Sequence, residues 1–420
     1  MSNAMKNGNI LGHLYGTDAA GAQRERYQNA VTRFTKLFGN GAEGLHLFRA
    51  PGRIEIGGNH TDHQNGQVLA AAIDLDMVAV AEALEGDEAF RIYSEGFGWI
   101  ETEPTQAGTP GALVRGMAEE MRLRGFRTGV FRAYVTSNVP EGSGLSSSAA
   151  FEVLIGTILN SLYNDGAIPA VDIARMAQAA ENRYYGKPCG LMDQMASAVG
   201  GLCYIDFGDP ASPQVEKLDV DFQKMGYAVC ITNTHGSHAD HTEDYAAVQK
   251  ELAKAADVFG KRVLEGVSPQ EVIAKTSAIR EAGGDRAFLR ALHVAAENER
   301  VLAETDALKR KDMTAFLDHV RRSGDSSYKL LQNVHVDREP ERQELAVALA
   351  VSEALLGNTD SACRVHGGGF AGTIQAFVPE QEVSRYRAVM DETFGEGSCL
   401  TIRICPEGGM EVKELVDMLR

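Results

Sequence analysis

The sequence predicts an α+β protein of two domains with a ligand cleft between them. Three observations carry that expectation. A chain of 420 residues is longer than one hydrophobic core usually serves and suits two. Strand-like and helix-like runs alternate with short loops. Three polar, glycine-bearing loops adjoin the β-rich runs, and ligand sites gather at such junctions. Hydrophobic residues at 44% and charged residues at 24% are ordinary for a globular fold, and the 44 glycines fall in short runs, not low-complexity tracts.

In chain order, residues 22–38 place apolar side chains at helical spacing and predict an amphipathic helix. Residues 45–84 read as two β-rich runs around a loop, Gly57 to Gly66, that is unusually polar for a segment between apolar strands. A strand at 129–140 runs into a glycine loop and then a helix, apolar at helical spacing from Ala149 onward. A helix over 171–186, the loop Lys187 to Gln194 and a strand over 201–207 follow. The Gly/Asp/Pro/Ser stretch at 208–213 sets the boundary, giving domains 1–210 and 211–420. The second half reads as a strand at 225–234, helices through 240–260 and 285–355, a glycine loop feeding a strand at 364–379, and a tail of strand then helix. No internal repeat is present.

A formal net charge of −17 argues against a nucleic-acid partner, because binding a polyanion requires a basic face that displaces counterions. A nucleotide is still compatible, since backbone N–H groups, one or two cations and a metal ion suffice locally. The six cysteines form no CxxC pair, which predicts free thiols and a cytoplasmic setting. No stretch approaches the roughly 18 apolar residues of a membrane span, and no basic-then-apolar leader opens the chain. Met1 to Met5 reads as an expression remnant ahead of a native Met5.

Three loops carry chemistry. Pro140-Glu-Gly-Ser-Gly-Leu-Ser-Ser-Ser-Ala-Ala150 follows a strand and opens a helix, whose first N–H groups and positive dipole end suit a polyphosphate. Its hydroxyls Ser146, Ser147 and Ser148 can reach phosphate or magnesium; by itself the loop is equally a serine-capped helix start. It is not a Walker A loop, because no G-x-x-x-x-G-K-[ST] occurs. Arg364-Val-His-Gly-Gly-Gly-Phe-Ala-Gly372 allows close backbone approach to a ligand, or simply a tight turn. Ala50 to Gly66 packs Asn59, His60, Asp62, His63 and Gln64 into one loop, a set of short polar groups that suits sugar hydroxyls or plain solvent.

Taken in chain order, these runs resemble the three signature motifs of the GHMP kinase superfamily. Ala50 to Gly66, the first along the chain, looks like the galactokinase signature, and Lys187-Pro-Cys-Gly-Leu-Met-Asp-Gln194 looks like that family's catalytic segment. The resemblance spans about Leu45 to Val378. It implies an N-terminal domain like ribosomal protein S5 domain 2, a C-terminal ferredoxin-like domain, and ATP with a hexose in the cleft between them. The implied activity is phosphorylation of the anomeric hydroxyl of galactose by a soluble sugar 1-kinase, with ATP and Mg2+ and no obligate protein partner. Asp193 matches the catalytic aspartate and Arg53 the arginine beside it. Gly142, Gly144, Leu145, Ser146, Ser147, Ser148 and Ala149 match the phosphate loop, with Gly367, Gly368 and Gly369 in the third motif. Ser148 and Glu181 match magnesium ligands, and Asn59, His60, Asp62, Gly190 and Tyr245 match sugar contacts. The chemistry agrees: a sugar hydroxyl is a poor nucleophile at neutral pH, so a carboxylate accepts its proton while an arginine orients it.

The chain departs from the family at three places. Family members usually carry glutamate where Asn59 stands, matching a contact to the C6 end of the sugar, and Tyr-Asn-Gly-Gly where this chain has His63-Gln-Asn-Gly66. Loss of that charge keeps a galacturonate kinase as an alternative. Thr109 to Gly116 occupies the stretch in which relatives pack adenine against aromatic rings, with no aromatic residue here. His235, His238 and His241 with nearby acids read either as a metal cluster or as a polar rim beside the sugar. A galactokinase-like sensor that binds both ligands without turnover is a further alternative; such proteins tend to have a damaged phosphate loop, and Gly-Leu-Ser-Ser-Ser-Ala is intact here.

Overall fold

The computed structural model describes residues 10–39, 44–85, 89–103, 106–140, 142–236, 242–336, 338–357, 359–370 and 372–419. Helices α1 (Ile10–Tyr15) and α2 (Ala20–Phe38) lead into β1 (His46–Gly57), β2 (Gln67–Ala83), β3 (Arg91–Ser94), β4 (Gly98–Ile100), α3 (Pro110–Leu123) and β5 (Phe131–Ser137). Next come α4 (Ser147–Asn164), α5 (Ala170–Ala180), α6 (Met192–Val199), β6 (Leu202–Asp206) and β7 (Gln214–Leu218). The remainder is β8 (Tyr227–Asn233), α7 (Thr242–Asp257), α8 (Pro269–Ala274), α9 (Thr276–Gly283), α10 (Asp285–Lys309), α11 (Met313–Ser326), α12 (Glu344–Leu356), β9 (Ala362–His366), β10 (Thr373–Pro379), α13 (Val383–Phe394), β11 (Cys399–Ile402), β12 (Met410–Glu411) and α14 (Lys413–Leu419).

Among the described residues these strands form two sheets, which makes the architecture α+β. The larger is organised by β2, whose residues 67–71 pair with β6 and residues 77–83 with β5, while β1 lies along its other edge. One strand can serve two neighbours in this way because it is long and the sheet twists. The smaller sheet runs β11-β8-β10-β9, antiparallel throughout, with helices between β8 and β9 and α13 between β10 and β11. That is the β-α-β-β-α-β order of a ferredoxin-like unit. Position 210/211 falls in the turn between β6 and β7, which pair with each other in the larger sheet, and β12 returns the tail to that sheet beside β1.

One face of the larger sheet is buried by α3 to α6, around Phe48, Met117, Phe131, Leu154 and Ile158. The helix α4 is apolar nearly all round, as a central helix must be. Helices α1 and α2 cover part of the other face through Tyr15, Tyr27 and Phe34. The observed α2 begins two residues before the expected start and ends where Gly39 turns left-handed (φ 79°), its N–H donating to the Thr35 carbonyl. Beneath these helices Asp76 accepts from the Tyr15 hydroxyl (2.5 Å), Arg26 Nη1 (2.6 Å) and Arg49 Nε (2.6 Å), with Asp76 and Arg49 fully buried. The expected helical stretch 285–355 is three helices: α10 ends at Lys309, and α11 continues into a π-helical turn (Ser327–Leu331) before the break ahead of α12. Among the described residues no helix is long and apolar enough to cross a membrane.

Candidate active site

The site begins with two irregularities in β1. Its register against β2 slips between Pro51 and Arg53 and again between Glu55 and Gly57, as expected where proline withholds a ladder donor and glycine tolerates a bulge. A Cβ at Gly52 would lie 2.9 Å from the Leu145 carbonyl, and the Arg53 N–H donates to that same oxygen at 3.1 Å. Strand β1 is thereby sealed against the phosphate loop.

Arg53 grips Asp193 with two parallel bonds, Nε to Oδ1 at 2.7 Å and Nη2 to Oδ2 at 2.6 Å, and its Nη1 donates to the Gly144 carbonyl. Asp193 stands in the first turn of α6 yet caps nothing there; its carboxylate faces Arg53 and the Ser146 hydroxyl. Burial alone would raise its pKa, but the Arg53 guanidinium, the paired bonds and Ser146 hold it below the usual carboxylate range. Ser146 is the residue before α4 and is left-handed (φ 58°), a conformation uncommon for a residue with a side chain and found at sites that use the strain. Because its hydroxyl goes to Asp193, it does not cap α4, and the loop is therefore not a serine-capped helix start. The positive end of an 18-residue helix is left facing the cleft.

These groups line a cavity of about 670 Å³ with walls from β1, the phosphate loop, the Lys187 to Asp193 loop, the start of α7 and the loop after β9. Of the residues singled out in the sequence, Arg53, His60, Asp62, Gly142, Gly144, Leu145, Ser146, Ser147, Ser148, Glu181, Gly190, Asp193, Tyr245, Gly367 and Gly368 all lie on it. Asn59, Ala149 and Gly369 are not on its wall. Asn59 is fully buried behind it, Ala149 sits inside the first turn of α4, and Gly369 backs onto Asn333, whose carbonyl would lie 2.1 Å from any Cβ there.

Several wall contacts tie distant motifs together. His60 is left-handed (φ 62°) and places Nε2 2.8 Å from the Gly368 carbonyl; burial pushes its pKa down to about 3, so the ring is neutral and that nitrogen donates. The Tyr245 hydroxyl donates to the Gly369 carbonyl at 2.6 Å, and its ring leaves no space for a side chain at Gly368. A Cβ at Gly190 would lie 1.8 Å from Asp62 Oδ2, so only glycine lets the Lys187 to Gln194 segment pass this close to the Gly57 to Gly66 loop. Glu181 opens a π-helical turn after α5; its carboxylate accepts from Gln194 Nε2 at 2.9 Å, and Lys187 Nζ lies 3.6 Å away.

Other functional candidates carry weaker sequence signals. Glu55, Lys187 and His366 are also on the cavity wall. Glu152, the one carboxylate of α4, shares Gln194 Nε2 with Glu181; burial, with Glu181 adding to it, pushes its pKa well up. Behind the Gly57 to Gly66 loop Glu297 accepts from the backbone N–H of Gly58 and Asn59 (3.4 Å each) and the Ser323 hydroxyl (2.5 Å), while Arg300 pairs with it at 2.6 Å. Burial opposes its charge, but Arg300 and its neighbours hold its pKa down to about 2. His293, Glu297, Arg300 and Glu304 recur at the spacing of a helix's core face, and that polar stripe was a readable signal.

His235 bonds Ser398 Oγ at 2.8 Å through Nε2, whereas His238 and His241 lie outside the described residues. Among the described residues no group of three or more His, Cys, Asp or Glu side chains is arranged to hold a metal. Thr109 caps α3, accepting from the Ala112 N–H at 3.3 Å, and none of Thr109 to Gly116 is on the cavity wall.

Among known proteins, the model for the GHMP kinases N terminal domain matches residues 112–201, and that for the galactokinase galactose-binding signature matches residues 32–83. The galactokinase of Actinobacillus pleuropneumoniae serotype 3 (strain JL03) is 31% identical over 376 residues, which is 87% of this chain and 93% of the relative. That of Glaesserella parasuis serovar 5 (strain SH0165) is 33% identical over 371 residues, 86% of this chain and 92% of the relative. The crystal structure of Lactococcus lactis galactokinase complexed with galactose matches with a TM-score of 0.77 at 24% identity, covering 90% of this chain and 98% of that one. Streptococcus pneumoniae phosphomevalonate kinase matches with a TM-score of 0.60 at 11% identity, covering 86% and 98%. The fold is that of the GHMP kinases.

Proposed function

This chain belongs to the galactokinase family, and on that footing we propose that it transfers the γ-phosphoryl group of ATP to the anomeric hydroxyl of galactose, giving galactose 1-phosphate. The observation that carries the reading is the paired Arg53–Asp193 contact set beside the uncapped start of α4 in one cavity. Phosphoryl transfer asks little covalent chemistry of a protein; it needs an aligned nucleophile and compensated charge.

The division of labour follows from the electrostatics. Asp193, held ionised and unusually weak as a base, is suited to orient the hydroxyl and take its proton late, as the P–O bond forms and the hydroxyl becomes acidic. Arg53 fixes both carboxylate oxygens and offsets charge beside the transferred group. The N–H groups opening α4 and the hydroxyls of Ser147 and Ser148 receive the phosphates. His60, Asp62, Gly190 and Tyr245 take the sugar, with Gly367 and Gly368 closing the far wall.

Glu181 and Ser148 offer a carboxylate and a hydroxyl on one wall, an oxygen set that fits magnesium held mainly by phosphates and water. When bound, the metal would offset charge on the transferred phosphoryl. Glu181→Ala and Ser148→Ala should each raise the magnesium concentration giving half-maximal rate by about tenfold, the scale of one lost ligand or its orienting partner. An unmoved magnesium curve in both would displace the metal from these residues.

Coupled measurement of ADP release with a panel of hexoses tests the function itself. Sustained galactose-dependent ADP formation is expected. Tight binding of ATP and galactose with no ADP release would instead make the chain a sugar sensor.

A further inference from the structure

Resting on the sugar-kinase reading above, we infer that Glu55 selects the sugar: it accepts a hydrogen bond from a hydroxyl at the end of the hexose remote from Asp193 and excludes a carboxylate there. The family resemblance points to Asn59 for that end, but the structure leaves Asn59 nothing to offer. It is fully buried. Its Nδ2 donates to Glu55 Oε1 (3.0 Å) and the Gly367 carbonyl (2.6 Å), and its Oδ1 accepts from Asn333 Nδ2 (2.9 Å) and Ser327 Oγ (3.2 Å). Those four bonds exhaust an amide side chain.

Glu55 is placed differently. It lies on the cavity wall, with 3% of its surface exposed. Its Oε1 is held by Asn59 and by Arg364 Nη2 at 2.8 Å, and Oε2 has no hydrogen-bond partner among the described residues. Arg53 and Glu55 pair with Ala72 and Ala70 in unbroken register, so both side chains leave the same face of β1. Two residues of strand separate them by ~6.8 Å, about the span of a hexose ring. A sugar whose reacting hydroxyl meets Asp193 beside Arg53 therefore brings its far end to Glu55. The carboxylate missing at Asn59 is present four residues earlier, held in one orientation by Arg364; burial raises its pKa, and the Arg364 guanidinium and the Asn59 amide oppose that shift.

An oxygen acceptor with a fixed negative charge favours a hydroxyl and penalises a carboxylate. The test compares kcat/KM for galactose, galacturonate and the uncharged galacturonamide in wild type, Glu55→Gln and Asn59→Asp. Wild type should use the amide at least about tenfold better than the acid, and Glu55→Gln should raise the galacturonate-to-galactose ratio by about tenfold or more, since charge discrimination is read in that ratio. A purely structural role would lower all three substrates together and leave the ratio where it was. A ratio moved by less than about twofold in Glu55→Gln, or moved only in Asn59→Asp, overturns the assignment. If Glu55→Gln fails to fold because Arg364 loses its partner, wild type alone decides: equal use of amide and acid overturns it. Wild type that turns over no hexose removes the kinase reading itself; galactose turnover with an unmoved ratio removes only the role of Glu55.

Discussion

Asp193→Asn should lower kcat by at least about a hundredfold, the scale of a lost acid/base group, while galactose and ATP still bind within several-fold of wild type. Asparagine fills the same space and can still accept from Arg53 Nε, so the cavity keeps its shape. What disappears is the negative charge that aligns the hydroxyl and the oxygen that can keep its proton. The substitution also turns an amide N–H toward Arg53 Nη2 or Ser146, both donors to the native carboxylate. The loss therefore belongs in kcat, as expected of an interaction that strengthens toward the transition state. Single-turnover kinetics with bound substrates checks it. Retention of more than about a tenth of the wild-type rate, far above what general-base loss permits, would take Asp193 out of the mechanism.

The second large effect lies far from the chemistry. Asp76→Ala should destabilise the protein by about 3–5 kcal/mol, the cost of breaking a buried ion pair by removing one partner. Arg49 is completely buried and pairs with Asp76 at 2.6 Å, so the alanine leaves a guanidinium with no nearby carboxylate and no route to water. Tyr15 and Arg26 lose their anchor as well, loosening α1 and α2 from the sheet that carries Arg53. Urea unfolding with an unchanged slope isolates that energy. A loss below about 1 kcal/mol would mean Arg49 finds another partner at little cost.

Much of this was legible in the sequence, for identifiable reasons. The Gly142 to Ala149 loop stands out because glycine and serine cluster between a strand and a helix, although alone it also reads as a serine-capped helix start, and Asp193 and Arg53 lie inside short contiguous motifs. The hydrophobic period gave α2 to within two residues. What escaped depends on tertiary packing. Asn59 looks like a ligand in the chain, yet Asn333, Ser327, His293 and Glu297, all from the second half, surround it. Glu55 looks like an ordinary strand residue, and only the cavity and the Arg364 contact make it conspicuous. The short strands β3, β4 and β12 leave no period, and their place depends on β5 and β1.

In the mechanism we propose, Asp193 and Arg53 direct the γ-phosphoryl to the anomeric oxygen. Proton–phosphorus correlation NMR of the product formed from galactose, ATP and magnesium tests it most directly, because only a phosphate on the anomeric oxygen couples to the anomeric proton. The expected product is galactose 1-phosphate, formed one for one with ADP and lost with Asp193→Asn. Phosphorus coupled to the C6 protons, or inorganic phosphate released without a sugar phosphate, would contradict it.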